Sequence, residues 1–349
     1  MPVIGFHNSH EQIHPADLLD AVRHAEEVGF TAAMCSDHFA PWNPEQGHSG
    51  FAWSWLGAAL ATTSLPFGAV NAPGQRYHPA IVAQAIATLG AMFPGRFWVA
   101  LGSGEAMNEH ITGDPWPPKD QRDARLRECI DVIRALLAGE EVTHDGLVTV
   151  DRARIWTRPE QPPALIAPAV SVDTARRGAE WADGLVTINQ PHDHLREMIV
   201  AYQDAGGRGK LILQLHLSYD PDPDRALAMA FEEWHTGVVS PPESWDLDTP
   251  QAFERASAHA TPADVAKVVR VSSDLGQHAA WIAEYADLGF DDIYLHHVGQ
   301  EQRGFLDAFG EHVLPQLDVT AAAPAVAIDP PGPAEPRRPE QALQPAVLP

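Results

Sequence analysis

The chain has 349 residues, 45% of them hydrophobic, enough to bury a large core as two domains or as one α/β barrel with insertions. Its 47 acidic against 23 basic residues leave a formal net charge of −24, which repels nucleic acid and anionic membranes, since both bind through Lys/Arg clusters. No apolar run approaches the roughly 20 residues that span a bilayer, and Cys35 and Cys129 are too few for a disulfide framework or a four-cysteine zinc site. The opening MPVIGFHNSHEQ lacks the basic and long apolar segments of a signal peptide, so a reducing cytoplasm is the expected compartment.

Short apolar or β-branched runs then alternate with helical patterns. In chain order the runs are VIGF (3–6), TAAMC (31–35), LPFGAV (65–70) and FWVALG (97–102), then ALIAPAV (164–170), GLVTIN (184–189), LILQLHLSY (211–219) and DIYLHHV (292–298). Near-continuous apolar strands suit a parallel sheet covered on both sides. Between them, Pro15 and Pro79 sit near helix starts, where a missing N–H costs nothing. Leu18, Val22 and Ala25 give the first helix one apolar face, and Gly29 and Gly289 end helices just before strands. Eight strand–helix units predict a (β/α)₈ TIM barrel over residues 1–319, in preference to a doubly wound sheet. The stretch from about 220 to 260 is too long for a simple connection and reads as an insertion after strand 7, over the catalytic face. Residues 320–349 are rich in Pro and Ala, without periodicity, and predict a disordered tail.

Catalytic groups of such a barrel gather at the C-terminal ends of its strands. Those ends carry His7, Asp37 and His38, Ala69-Val70-Asn71, GSGEAMNEH (102–110), Asn189, and His296 and His297. A lone histidine there is more often packed or solvated than catalytic. Asp-His followed by Trp42, in CSDHFAPW (35–42), makes a stronger case. In GSGEAMNE, Gly102 and Gly104 let backbone N–H groups approach a ligand, and Glu105 and Asn108 face one side of a helical turn. This turn is not the dinucleotide fingerprint, which requires GxGxxG after the first strand.

SDHFAPW, PGQRYHPAIVAQAIATLGAMFPGRF and GSGEAMNEHITG, together with SYDPDP (218–223) and QRGFLDAF (302–309), resemble the bacterial luciferase-like superfamily of flavin and deazaflavin oxidoreductases. The nearest branch is that of the coenzyme F420-dependent glucose-6-phosphate dehydrogenases, and the resemblance runs from about residue 3 to 317. It implies a barrel holding an isoalloxazine or 5-deazaisoalloxazine in its mouth, and a hydride transfer with His38 as general acid/base. In that picture Asp37 orients the site or caps a turn, and Trp42 shields it. Glu105 exchanges a proton with the cofactor or binds a substrate hydroxyl. The cofactor-contacting set implied is Asp37, Ala69, Val70, Ala72, Gly102, Ser103, Gly104, Asn108, Ala167 and Ser171, with a non-prolyl cis peptide at Ala69–Val70.

Two departures from the branch stand out. The positions that match its three phosphosugar-gripping basic residues fall at or beside Pro191, Ser244 and Val268, none of them basic, so a small non-phosphorylated substrate is expected. Arg76 reads as structural. The loop after strand 5, IAPAVSVDT (166–174), lacks the glycines that cradle a cofactor phosphate, leaving Ser171 and nearby N–H groups. That favours FMN slightly over F420. The expected partners are a small-molecule substrate, a flavin reductase if the reaction is a monooxygenation, and a second copy in a homodimer. Two other readings compete: a metal-dependent TIM-barrel hydrolase using His7, His38, His216, His296 and His297, and a non-catalytic flavin-binding barrel. No metal is expected on the flavin reading.

Overall fold

The computed structural model describes residues 2–317. Eight parallel strands close into a barrel: β1 (Val3–Asn8), β2 (Ala32–Ser36), β3 (Phe67–Asn71), β4 (Phe97–Leu101), β5 (Ala164–Pro168), β6 (Gly184–Ile188), β7 (Lys210–Tyr219) and β8 (Asp292–His297). Each pairs with the next in the chain. The ring closes where β8 pairs with β1, Val3 opposite Asp292 and Phe6 opposite Leu295. The predicted (β/α)₈ TIM barrel is thus the observed fold, and its eight strands are the eight apolar runs. The expected boundary at 319 and the tail 320–349 lie outside the described residues.

Alternation along the strands separates two cores. Val3, Met34, Trp98, Ala100, Ile166, Val186, Ile212 and Tyr294 fill the barrel interior, while a larger cluster packs the strands against the helices. The interior is plugged by Trp98, whose Nε1 donates to Tyr294 Oη at 3.4 Å. Two glycines make room for these rings: a Cβ on Gly68 would stand 1.9 Å from Trp98, and one on Gly5 would stand 2.3 Å from Tyr294. The barrel is therefore a packed body with its openings at the ends.

The helices start and stop as their sequences predict. Pro15–Glu27 and Pro79–Met92 open on their prolines, with His14 and His78 accepting from the N–H two residues on. Gly29 (φ 109°) and Gly289 (φ 101°) turn the chain from helix into β2 and β8. One element escaped the sequence reading: an antiparallel hairpin, Val142–Asp145 with Thr149–Ala153, between the long helix Lys119–Ala138 and β5. Its Asp145-Gly146 turn was the available signal. The insertion after β7 extends to residue 274, beyond the expected 260. After four short helical segments beyond Pro223–Trp234, its strand Arg270–Ser272 pairs with the end of β7, Arg270 opposite Leu217.

The peptide joining Ala69 and Val70 is not cis, which corrects the expectation drawn from the resemblance; the cis bond among the described residues is Pro241–Pro242. The ladder explains the regular backbone. β3 pairs without interruption from Phe67 to Val70 with β2 and from Phe67 to Asn71 with β4, which leaves no bulge at that point.

Candidate active site

The C-terminal ends of β2, β3, β4 and β5 surround an open cleft of about 200 Å³. Asp37 stays in the ladder, its N–H donating to Val70 O at 2.9 Å. Its Oδ2 accepts from Asn71 Nδ2 at 2.8 Å. Arg76 then ties this corner together. Its Nη2 donates to Asp37 O at 2.8 Å, while its backbone N–H donates to Glu109 Oε2 at 2.7 Å and its Nε lies 3.6 Å from the other oxygen. Arg76 is therefore structural, as expected, and its charge is consumed by two buried carboxylates.

His38 follows on the loop. Its carbonyl accepts from Ser49 Oγ at 2.8 Å, and its ring meets Trp42 at 4.9 Å between centroids. Trp42 lies outside the cleft lining and packs edge-on against Phe253 of the insertion, so it covers His38 from behind. Behind His38 stands Glu11, from the segment leaving β1. Its Oε1 is 3.6 Å from His38 Nδ1, and its Oε2 accepts from Ser9 Oγ at 3.0 Å. Burial drives both toward neutrality: the imidazole falls to about 3 and the carboxyl rises to about 7. At neutral pH this is a neutral ring beside a half-ionised acid, not a fixed ion pair.

At the β4 end, Gly102 N–H donates to Asn71 O at 2.8 Å and Gly104 takes φ 84°, so Gly102-Ser103-Gly104 presents backbone to the cleft at two of three positions. Burial, reinforced by Glu11 and Glu109, raises the Glu105 carboxyl to about 7. Asn108 spans two loops: its Oδ1 accepts from Phe39 N–H at 2.8 Å and its Nδ2 donates to Glu105 at 3.4 Å.

The structure thus brings Asp37, His38, Val70, Ala72, Gly102, Ser103, Gly104, Glu105 and Asn108 to one cleft. It does not bring Ala69, Ala167 or Ser171 there. Ala69 and Ala167 sit one position out of phase and face the helices. Ser171 Oγ accepts from Thr174 N–H at 3.3 Å, capping the helix Val172–Gly178, and Pro168, Ala169, Val170 and Thr174 line the cleft in its place. The sequence reading missed Glu11, Glu109 and Lys119, and named Asn71 at the end of β3 without giving it a role. Glu109 stood inside GSGEAMNEH, and Glu11 stood three residues beyond β1. Trp245 was also missed; it reaches the cleft from the insertion's short helix Glu243–Asp246.

Across the mouth from the cleft the barrel is floored by imidazoles. His7 stacks on His296 at 4.3 Å, and His216 lies 5.1 Å from His296. Gln214 Nε2 donates to His216 Nε2 at 3.2 Å and to His296 Nδ1 at 3.0 Å. Both nitrogens must then accept, so His216 Nδ1–H donates to Asn189 Oδ1 at 3.0 Å and His296 Nε2–H to Gln12 Oε1 at 3.2 Å. The network is consistent only with neutral rings, in keeping with burial lowering both groups. Trp234 of the insertion rests on both. Among the described residues, no group of three or more His, Cys, Asp or Glu side chains is arranged to hold a metal ion.

The sequence model of the luciferase-like monooxygenase family matches residues 2–292. The chain is 37% identical over 327 residues to the F420-dependent glucose-6-phosphate dehydrogenase of Beutenbergia cavernae, covering 90% of this chain and 97% of that one. It is 35% identical over 325 residues to the enzyme of the same name from Microbacterium testaceum, covering 90% and 96%. Among solved structures, an F420-dependent secondary alcohol dehydrogenase in complex with an F420–acetone adduct matches with a TM-score of 0.84 at 29% identity, covering 91% of this chain and 99% of that one. The chain belongs to the luciferase-like monooxygenase family and is an oxidoreductase.

Proposed function

We propose that this protein is an F420-dependent dehydrogenase that moves a hydride between the deazaflavin and a small non-phosphorylated alcohol or its carbonyl product. The observation that carries the reading is the pattern of buried polar atoms without partners. Asp37 Oδ1 and Asn71 Oδ1 are both buried and unsatisfied, and both residues line the one cleft. Such atoms cost about 1–3 kcal/mol each unless a ligand meets them. With the side-chain-free wall of Gly102 and Gly104 beside them, they fit a flat heteroaromatic ring with a polar edge. F420, when bound, supplies the ring carbon that takes or gives hydride.

The chain's own residues handle the proton. His38 Nδ1 is turned to Glu11, which leaves Nε2 to take the hydroxyl proton of a substrate. Glu11, ionised above about pH 7, stabilises the imidazolium so formed. Asp37 and Asn71 hold the cofactor's edge, and Glu105 and Asn108 border it. Trp42 excludes water from His38.

FMN was slightly favoured by the sequence because the loop after β5 lacks glycine. The relatives named above are F420-dependent by name, which supports F420 instead, and direct exchange with F420 requires no flavin reductase. Those from Beutenbergia and Microbacterium act, by name, on glucose 6-phosphate. Against that substrate here, the far wall offers Gln12, Asn189, Gln214, His216 and His296, all neutral, and no Lys or Arg among the side chains bonded in that network.

The test is titration of the cofactor-free protein with F420 and with FMN, followed by F420 reduction with secondary alcohols and with glucose 6-phosphate. Tighter binding of F420, and turnover with an alcohol, is the expected result. Preference for FMN would overturn the cofactor assignment, and a higher kcat/KM on glucose 6-phosphate would overturn the substrate class.

A further inference from the structure

The cleft is electrically lopsided. Its inner part is bordered by three carboxyl groups, Asp37, Glu105 and Glu109, all shifted upward by burial. Two cationic side chains line it. Arg76 is spent between Asp37 and Glu109. The other is Lys119, the first residue of the helix Lys119–Ala138, whose Nζ donates to Ser103 Oγ at 3.2 Å. Lys119 is held by two further contacts: an ion pair with Asp123 one turn along, and the face of Trp245, whose centroid lies 5.4 Å from Nζ. Asp123 also accepts from Arg177 Nη1 at 2.8 Å, so its charge is shared between two cations. Close by, Arg122 is almost fully buried, with its Nε and Nη1 unpartnered and its Nη2 3.7 Å from Asp246.

We propose that Lys119, with Ser103, is the residue that reads a phosphate ester on the cofactor, and that it sets the direction in which the cofactor lies: uncharged ring toward Asp37 and Asn71, phosphate toward Lys119 and Trp245. The inference rests on the cofactor reading above and deepens it. A protein of net charge −24 draws anions only through local donors. Lys119 is the cleft cation whose charge is not divided between two buried carboxylates, and its ammonium already lies within hydrogen-bonding distance of the Ser103 hydroxyl. The loop after β5 offers less, because its serine is occupied in capping its own helix. The shared chemistry is a phosphate ester, present as a terminal monoester in FMN and as a diester in F420.

The experiment measures dissociation constants of four ligands, by fluorescence titration at low and moderate salt: F420, its dephosphorylated deazaflavin alcohol, FMN and riboflavin. They are measured with the wild type, Lys119→Met and Lys119→Arg. A lost charge-assisted hydrogen bond weakens the phosphorylated partner about 10- to 100-fold in Lys119→Met, while the dephosphorylated partner moves less than about twofold. Lys119→Arg restores most of the difference, and the salt dependence of the phosphorylated ligand flattens in Lys119→Met. Which pair shows the effect tells monoester from diester. An unchanged ratio in Lys119→Met, or no preference for the phosphorylated form in the wild type, overturns this inference and leaves the cofactor reading intact. If none of the four binds the wild type, both are overturned.

Discussion

Nδ1 of His38 faces Oε1 of Glu11 across 3.6 Å and has no hydrogen-bond partner of its own. The two residues come from neighbouring strand ends, and the cost of ionising either is set by burial. Raising a carboxyl from 4.5 to about 7 corresponds to about 3 kcal/mol against its charged form. A proton arriving on His38 relieves that cost, because it gives the carboxylate a partner.

His38→Asn removes the proton acceptor and is expected to lower kcat for alcohol oxidation by about 10²- to 10⁴-fold with little change in cofactor affinity. Glu11→Gln keeps the Ser9 contact but cannot ionise. In the wild type, oxidation should speed up as pH rises through about 7, where Glu11 ionises, and this limb should vanish in the variant. The kcat–pH profiles of both proteins decide it. Glu105 titrates in the same range, so a limb that survives in Glu11→Gln and disappears in Glu105→Gln would reassign the group.

Acid should unfold this protein early. Seven histidines, His7, His10, His38, His216, His278, His296 and His297, are held neutral by burial, all below the ordinary value of 6.5. A lowered base binds its proton more readily in the unfolded chain, so stability falls as pH drops below 6.5 toward the folded values near 3 to 4. Six carboxyls raised by burial, Glu11, Asp37, Glu105, Glu109, Glu233 and Asp292, work the other way and favour the fold as pH drops. They are fewer than the seven bases, and Asp37, Glu109, Glu233 and Asp292 keep a counter-charge or hydrogen bond that limits their rise. Urea midpoints at pH 7 and pH 5, with proton uptake measured on unfolding, test this. A higher midpoint at pH 5 would show that the imidazole network does not govern the balance.

Arg76 cannot be traded for a neutral residue. Arg76→Met leaves Asp37 and Glu109 facing each other without a counter-charge and should destabilise the fold by about 3–5 kcal/mol, the cost typical of breaking a buried ion pair. Arg76→Lys should recover only part, since one ammonium cannot reach the Asp37 carbonyl and Glu109 with the same fork. Chemical denaturation reads the difference; a change under about 1 kcal/mol in Arg76→Met would mean that the two carboxyls simply take up protons.

Self-association is expected on the helices after β2 and β3, Ala52–Thr62 and Pro79–Met92. From residue 50 to 95 the sole charged residue is Arg76, which is buried, while Phe51, Ile81 and Met92 are more than half exposed. In a chain of net charge −24, a second copy meets least repulsion across such a face. Sedimentation should give a dimer for the wild type and a monomer for Ala58→Arg, whose new charge sits on that face. A monomeric wild type would exclude the arrangement.

The strands, their order and their closure into a barrel were legible because near-continuous apolar runs and proline- and glycine-marked helix ends are local properties. Asp37, His38, Glu105 and the GSG turn were legible for the same reason, since a strand end is readable from the run that precedes it. The hairpin at 142–153 was overlooked because its strands are short and mostly exposed, although its Asp-Gly turn was in view. What the sequence by itself determined was the scaffold and which residues stand on its rim. Only tertiary structure decided how they meet: that Glu11 reaches His38 across a strand gap, that Ala69 and Ala167 face the helices, and that Ser171 is spent on a cap. It also decided that Lys119, from a helix start after β4, comes beside Ser103. These are distances between segments far apart in the chain, fixed by barrel closure and packing, and no local pattern encodes them.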